Sequence, residues 1–155
     1  MSYISEKLAL PGPASDATGP SFRRADLQFH GVYHGGESYE GRIYLNNPDA
    51  DLRTPRNRDA GYAGSIYIFG HPHCWGDRGH CVVPPGPLHG YDDRSPHHLI
   101  PQLHTVEITE AITDLARKNV RSVAVTVLPV LRRGKRRRID HSQLRFDLLR
   151  LVTYE

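Results

Sequence analysis

The sequence predicts a mainly β protein: an antiparallel β-sandwich or open barrel with one short helix and a long loop rich in cysteine and histidine. Three observations support this prediction. Much of the chain alternates between apolar and polar residues with period two, which is typical of strands that bury one face. These stretches are rich in β-branched and aromatic residues and are bounded by Gly, Pro, Asn or Asp. Only one segment has helical periodicity, so a parallel sheet built of alternating βαβ units is not expected.

Six stretches carry the strand pattern, and one helix interrupts them. We predict strands over residues 25–33, 38–46, 62–69, 104–109, 121–130 and 143–153. The helix should begin at Thr109, whose hydroxyl can cap its first turn, and end near Lys118 and Asn119. The alternating positions of the strands give the predicted core: Leu27, Phe29, Ile43, Leu45, Ile66, Ile68, Val106, Ile108, Val123, Val125, Val127, Leu144, Phe146 and Leu148.

The chain has 155 residues, which is long enough for one domain with its own core. Residues 11–20 contain three prolines and two glycines. We therefore predict a flexible leader over residues 1–22 and a single β-sandwich domain over residues 23–155. The N-terminal segment lacks the features of a secretory signal, and no apolar run has membrane-spanning length, so we expect a cytoplasmic protein without membrane contact.

The run RRGKRRR, residues 132–138, holds six of the twenty basic side chains. One interpretation is the solvated tip of a hairpin between the last two strands, and the other is a surface for nucleic acid or an acidic partner. No aromatic residue is interleaved for base stacking, so nucleic acid is the less expected partner. The candidate partner-binding residues are Arg132, Arg133, Lys135, Arg136, Arg137 and Arg138.

The stretch HPHCWGDRGHC, residues 71–81, lies in a long segment without periodicity and contains both cysteines of the chain. Long loops within a domain are usually functional or disordered, so we expect the function to lie here. Thiolate and imidazole ligands suit copper or zinc. The cysteine spacing is wider than in ordinary zinc knuckles, so a metal site, a disulfide and two free thiols all remain open. The candidate metal ligands are His71, His73, Cys74, His80 and Cys81.

The sequence gives little support for catalysis by this chain alone. It contains neither a nucleophile elbow nor a phosphate-binding loop. Its only methionine is Met1, which leaves a blue-copper centre without its usual axial ligand. The predicted helix carries no histidine for a dinuclear copper site. We therefore predict no catalytic residues and no organic cofactor.

Several segments together resemble a known family. They are SYEGRIYLNNPDA, YAGSIYIFGH, HCWGDRGHC, DDRSPHHLIPQLHTVEITEAITDL and SVAVTVLPV followed by LRFDLLRLVTYE. Their order is similar to that of the C-terminal β-sandwich domain of tyrosinase-like type-3 copper proteins, which include the polyphenol oxidases. The resemblance covers about residues 24–155, and Gly-Asp-x-Gly-His-Cys with the following Asp-Arg-x-Pro-His is its most specific part.

The resemblance implies a non-catalytic, cupredoxin-like or jelly-roll-like domain that packs over a helical copper-bearing domain and shields its site. We therefore expect an accessory protein, here free-standing, that associates with a tyrosinase-like copper oxidase as a subunit, shielding its site or assisting copper delivery. The alternative is an independent Cys/His protein that binds zinc or copper for structure or transport. A weaker alternative is binding of nucleic acid or an acidic partner through the basic run.

Overall fold

The part of the chain that the structure describes contains nine strands and one helix. The computed structural model describes residues 2–12, 21–71, 101–131 and 144–155. Within these ranges the elements are β1 (Tyr3–Ile4), β2 (Leu8–Ala9), β3 (Arg24–Val32), β4 (Tyr39–Leu45), β5 (Tyr62–Ile68), β6 (Gln102–Glu107), α1 (Thr109–Arg117), β7 (Ser122–Val123), β8 (Val125–Leu131) and β9 (Leu148–Tyr154).

The strands form antiparallel sheets that are not closed into a barrel. One sheet has four strands in the order β1-β8-β4-β5, and a second has three in the order β6-β3-β9. The short strands β2 and β7 form a separate pair. The predicted fold class is confirmed, since the described chain is mainly β with one short helix and has the arrangement of a β-sandwich. No helix in the described ranges is long and apolar enough to cross a membrane.

One hydrophobic core joins residues of both larger sheets. All the predicted core residues are buried except four in β6 and the C-terminal segment. Val106, Leu144 and Phe146 are partly buried against the core, whereas Leu148 is 41% exposed. In β9 the buried position is Leu149 instead.

The inward positions of β9 differ from the prediction because the chain changes phase just before the strand. Residues 144–147 are not strand, and the Asp147 N–H donates a hydrogen bond of 2.9 Å to the His30 carbonyl. The Asp147 side chain packs against Gly31, whose φ is 68°. The alternation that begins at Leu144 therefore does not continue into β9, and a slip of one residue turns Leu148 outward.

The predicted strand over residues 121–130 is divided at Ala124. The Ala124 N–H donates to the Asn46 side-chain oxygen at 3.0 Å, and the Asn46 N–H donates to the Ala124 carbonyl at 2.8 Å. Asn46 has a φ of 54°, a conformation that asparagine tolerates better than most residues. As a result β7 pairs with β2, while β8 pairs with β1 and β4.

The helix occupies the predicted segment, but Thr109 does not cap it. No side chain caps its first turn. The Thr109 hydroxyl accepts a hydrogen bond of 3.0 Å from the Ala25 N–H and donates one of 2.9 Å to Glu107. These contacts tie the start of the helix to β3. At the other end, Asn119 has a left-handed φ of 57°, which ends the helix where the sequence predicts.

The described strands on either side of the basic run do not pair with each other. The strand before it, β8, belongs to the four-stranded sheet, and the strand after it, β9, belongs to the three-stranded sheet. The expected pairing of these two strands is therefore not observed in the described structure. Alternation identifies strands without revealing which of them pair. Residues 132–138 themselves lie outside the described residues.

The predicted leader contributes two strands that the sequence analysis missed. Tyr3 and Ile4 pair with β8, and Leu8 and Ala9 pair with β7. Leu10 is buried in the core. Two-residue strands show no periodicity, so alternation could not reveal them.

Candidate functional site

The loop after β3 and the segment after β5 are tied together by two hydrogen bonds that main-chain N–H groups donate. The Gly70 N–H donates to the Ser38 hydroxyl at 2.9 Å, and the His71 N–H donates to the His34 carbonyl at 2.9 Å. Gly70 lies so close to the backbone of residues 36–37 that a side chain would collide with it. Glycine at this position therefore allows the close approach that places His71 beside His34.

His34 and His71 form a pair of imidazoles. Their Nδ1 atoms are 3.3 Å apart, and their rings meet edge to face with centroids 5.2 Å apart. His34 is 5% exposed, whereas His71 is only partly buried. The two nitrogens are thus within hydrogen-bonding distance, and the tautomers of the two rings decide which of them donates.

A third histidine lies near the pair. The pKa of His104 is lowered, first by burial and second by repulsion from His34. Its Nε2 lies 2.9 Å from the Gln102 side-chain oxygen. In the part of the chain that the structure describes, however, no three His, Cys, Asp or Glu residues are grouped closely enough to hold a metal ion.

The predicted metal ligands are only partly accounted for. His71 lies in the described structure, and its partner His34 was missed by sequence reasoning. His34 precedes His71 by 37 residues and belongs to a different loop, so sequence spacing gave no signal for the contact. The remaining predicted ligands lie outside the described residues: His73, Cys74, His80 and Cys81.

An apolar groove adjoins the histidine pair. Its volume is about 440 Å³, and its lining comprises Ser38, Tyr39, Glu40, Tyr67, Ile68, Phe69, Val130 and Leu131. The Tyr67 and Phe69 side chains are 69% and 78% exposed. The Phe69 ring also contacts the His71 ring, with centroids 5.6 Å apart. We refer to this feature as the Tyr67–Phe69 groove.

The polar groups that line the groove are of two kinds. The Glu40 carboxylate is neutralised by Arg42 at 3.3 Å and Arg56 at 2.9 Å, and it accepts a hydrogen bond of 2.8 Å from Ser65. Within the described ranges the buried Tyr39 hydroxyl has no hydrogen-bond partner, and burial raises the pKa of this group well above its usual range. The groove is thus mainly apolar, and the Tyr39 hydroxyl lies buried beneath its surface.

The groove could have been anticipated in part from the sequence. Tyr67 and Phe69 occupy outward positions of a correctly predicted strand, where polar residues are usual on a solvated face. What alternation could not show is that β5 lies at the edge of its sheet and that β8 contributes Val130 and Leu131. Leu131 is followed directly by the basic run, whose six cationic residues lie outside the described residues.

The fold was compared with known proteins. No protein-family model and no curated protein matches the chain. Among solved structures, latent aurone synthase (polyphenol oxidase) from natural source matches with a TM-score of 0.52 and 12% identity, covering 99% of this chain and 24% of that chain. Recombinant latent aurone synthase co-crystallised with hexatungstotellurate(VI) and soaked in H2O2 matches with a TM-score of 0.53 and 13% identity. That match covers 100% of this chain and 25% of the other.

The chain has the fold of one part of a polyphenol oxidase. It spans about a quarter of the length of the polyphenol oxidase chains it matches, which is consistent with their C-terminal domain. The resemblance found from the sequence is therefore confirmed at the level of the fold.

Proposed function

We propose that the protein is a non-catalytic accessory β-sandwich that associates with a tyrosinase-like copper oxidase and covers or supplies its copper site. The observation that carries the proposal is the Tyr67–Phe69 groove, found on a fold that elsewhere forms about a quarter of a polyphenol oxidase. The partner is expected to be the helical, copper-bearing part of such an enzyme.

The exposed aromatic side chains favour docking of a protein surface. Tyr and Phe are enriched at protein interfaces because they bury large areas with few rotatable bonds. Two of them are largely exposed here, Tyr67 in the edge strand β5 and Phe69 just after it, beside Val130 and Leu131. A docked surface would thus cover these aromatic side chains.

The charge distribution specifies the partner further. The Glu40 carboxylate in the groove is already paired with two arginines, so it does not offer an unpaired negative charge to a partner. The chain continues from Leu131 into RRGKRRR. We therefore propose that the partner presents apolar side chains to the groove and acidic residues beside them, with Arg132, Arg133, Lys135, Arg136, Arg137 and Arg138 as the complementary cations.

A second candidate function is metal binding through the loop. The proposed ligands are His71, His73, Cys74, His80 and Cys81, and the ion is copper or zinc. The position of His71 against the buried imidazole of His34 favours this function. Elemental analysis of the purified chain tests it, and a chain that can be neither isolated with copper or zinc nor loaded with either would contradict it.

The association is tested with a type-3 copper oxidase from the same organism. The chain is co-expressed with that oxidase, and the complex is examined by size-exclusion chromatography with light scattering. We expect a one-to-one complex whose rate of catechol oxidation changes relative to the oxidase alone. A shielding role predicts a lower rate, and a copper-delivery role predicts a higher rate after expression at limiting copper. An oxidase that elutes separately, with an unchanged rate under both conditions, would contradict the proposal.

A further inference from the structure

We infer that His34 and His71 form a binding site for a divalent transition ion of the Zn²⁺ and Cu²⁺ class, with both imidazoles binding through Nδ1. The inference does not depend on the proposed association with an oxidase, since it concerns two residues of this chain alone. It adds His34 as a ligand, and it assigns the ligating atoms.

The separation of the two nitrogens matches that of ligands on one ion. Zinc binds imidazole nitrogen at about 2.0–2.1 Å with tetrahedral geometry, so two ligating nitrogens lie about 3.3–3.4 Å apart. The two Nδ1 atoms are already 3.3 Å apart. An ion bound by both nitrogens, at the apex of a triangle with them, therefore requires little change in the distance between them.

The surrounding structure holds the pair in place and leaves it accessible. The hydrogen bond from the His71 N–H to the His34 carbonyl fixes the two main chains relative to each other. The close packing of Gly70 against the backbone of residues 36–37 fixes the distance between the two loops. His34 is buried, but His71 is only partly so, and an ion can reach the pair from the His71 side. Pre-positioned ligands reduce the entropy lost on binding.

The ligand type selects the class of ion. Neutral imidazole suits zinc, copper and nickel, whereas calcium and magnesium require oxygen ligands. Among the described residues no carboxylate or thiol joins the two imidazoles in a group of three, so the pair supplies two of the ligands of the ion.

The test separates this pair from the ligands proposed in the loop. A background variant carrying His73→Gln, Cys74→Ser, His80→Gln and Cys81→Ser is stripped of metal and titrated calorimetrically with Zn²⁺ and, separately, Cu²⁺. We expect this background to bind, and His34→Gln or His71→Gln introduced into it to weaken binding by about tenfold or more, because each removes one of two protein ligands. Long-range ¹H–¹⁵N spectra of the histidines should show Zn²⁺ shifting the Nδ1 resonances of the pair.

The matched control is His30→Gln in the same background. His30 is a partly buried histidine of β3 that contacts Gln28, so its loss should leave the affinity unchanged. Circular dichroism checks the fold of every variant, and His71→Gln preserves the test if replacement of the buried His34 unfolds the chain. Absence of binding in the background, or equal affinity in the His71→Gln and His30→Gln variants, would overturn the inference.

Discussion

Val125→Asp should leave the chain unfolded under conditions in which Leu148→Asp folds normally. Val125 is fully buried at the start of β8, where Ser5 contacts its backbone through two hydrogen bonds of 2.9 Å. A carboxylate there would have no ionic partner and no water, and burial of an unpaired charge costs several kcal/mol. Total stability is about 5–15 kcal/mol for a domain of ordinary size, so this one change removes much of it.

Leu148→Asp is the matched control because both residues were predicted to lie in the core. The structure leaves Leu148 41% exposed, so an aspartate there would reach water and change stability by no more than about 0.5 kcal/mol. Urea denaturation followed by circular dichroism measures both variants. A cooperatively folded Val125→Asp protein would show that β8 is not central, and an unfolded Leu148→Asp protein would show that Leu148 points into the core.

Replacing both aromatic side chains of the groove should remove most of the affinity for the oxidase partner. Tyr67→Ser and Phe69→Ser together delete two largely exposed aromatic rings beside Val130 and Leu131. An aromatic residue at the centre of an interface contributes about 2 kcal/mol or more, so the dissociation constant of the double variant should rise by about 100-fold or more. Because both side chains are exposed, the melting temperature should change little.

Leu52→Ser with Tyr154→Ser provides the matched double variant. These residues are 62% and 42% exposed, and neither lines the groove. Surface plasmon resonance with the immobilised oxidase measures both double variants against the unchanged chain. If the control pair weakens binding as much as the groove pair, the partner docks elsewhere on the surface.

Sequence reasoning identified the strands and most of the core because each strand buries one face. Leu27 and Phe29 in β3, and Val125 and Val127 in β8, alternate as predicted and are fully buried. The pattern failed where the backbone changes phase, as it does between Phe146 and Leu149 beside the left-handed Gly31. Local alternation carries no information about such a slip.

The candidate site was predictable only in part, because contacts distant in sequence create it. His71 was predicted to be a metal ligand from the residue types around it, whereas His34 comes into contact with it through the approach of two loops. The Tyr67–Phe69 groove likewise needs β5 at a sheet edge and β8 two strands away. The order of strands in a sheet depends on which strands pair with each other. Periodicity along the sequence does not encode this pairing.

Hydrogen exchange of the chain alone and in complex with the oxidase tests the docking surface most directly. β5 and β9 are both edge strands in the described structure, and they lie in different sheets. Exchange of the β9 amides is therefore the reference for exchange of the β5 amides. We expect the oxidase to slow exchange of the amides in residues 66–69 while leaving those of β9 unchanged. Protection of β9 without protection of residues 66–69 would contradict the assignment of the Tyr67–Phe69 groove as the contact with the oxidase.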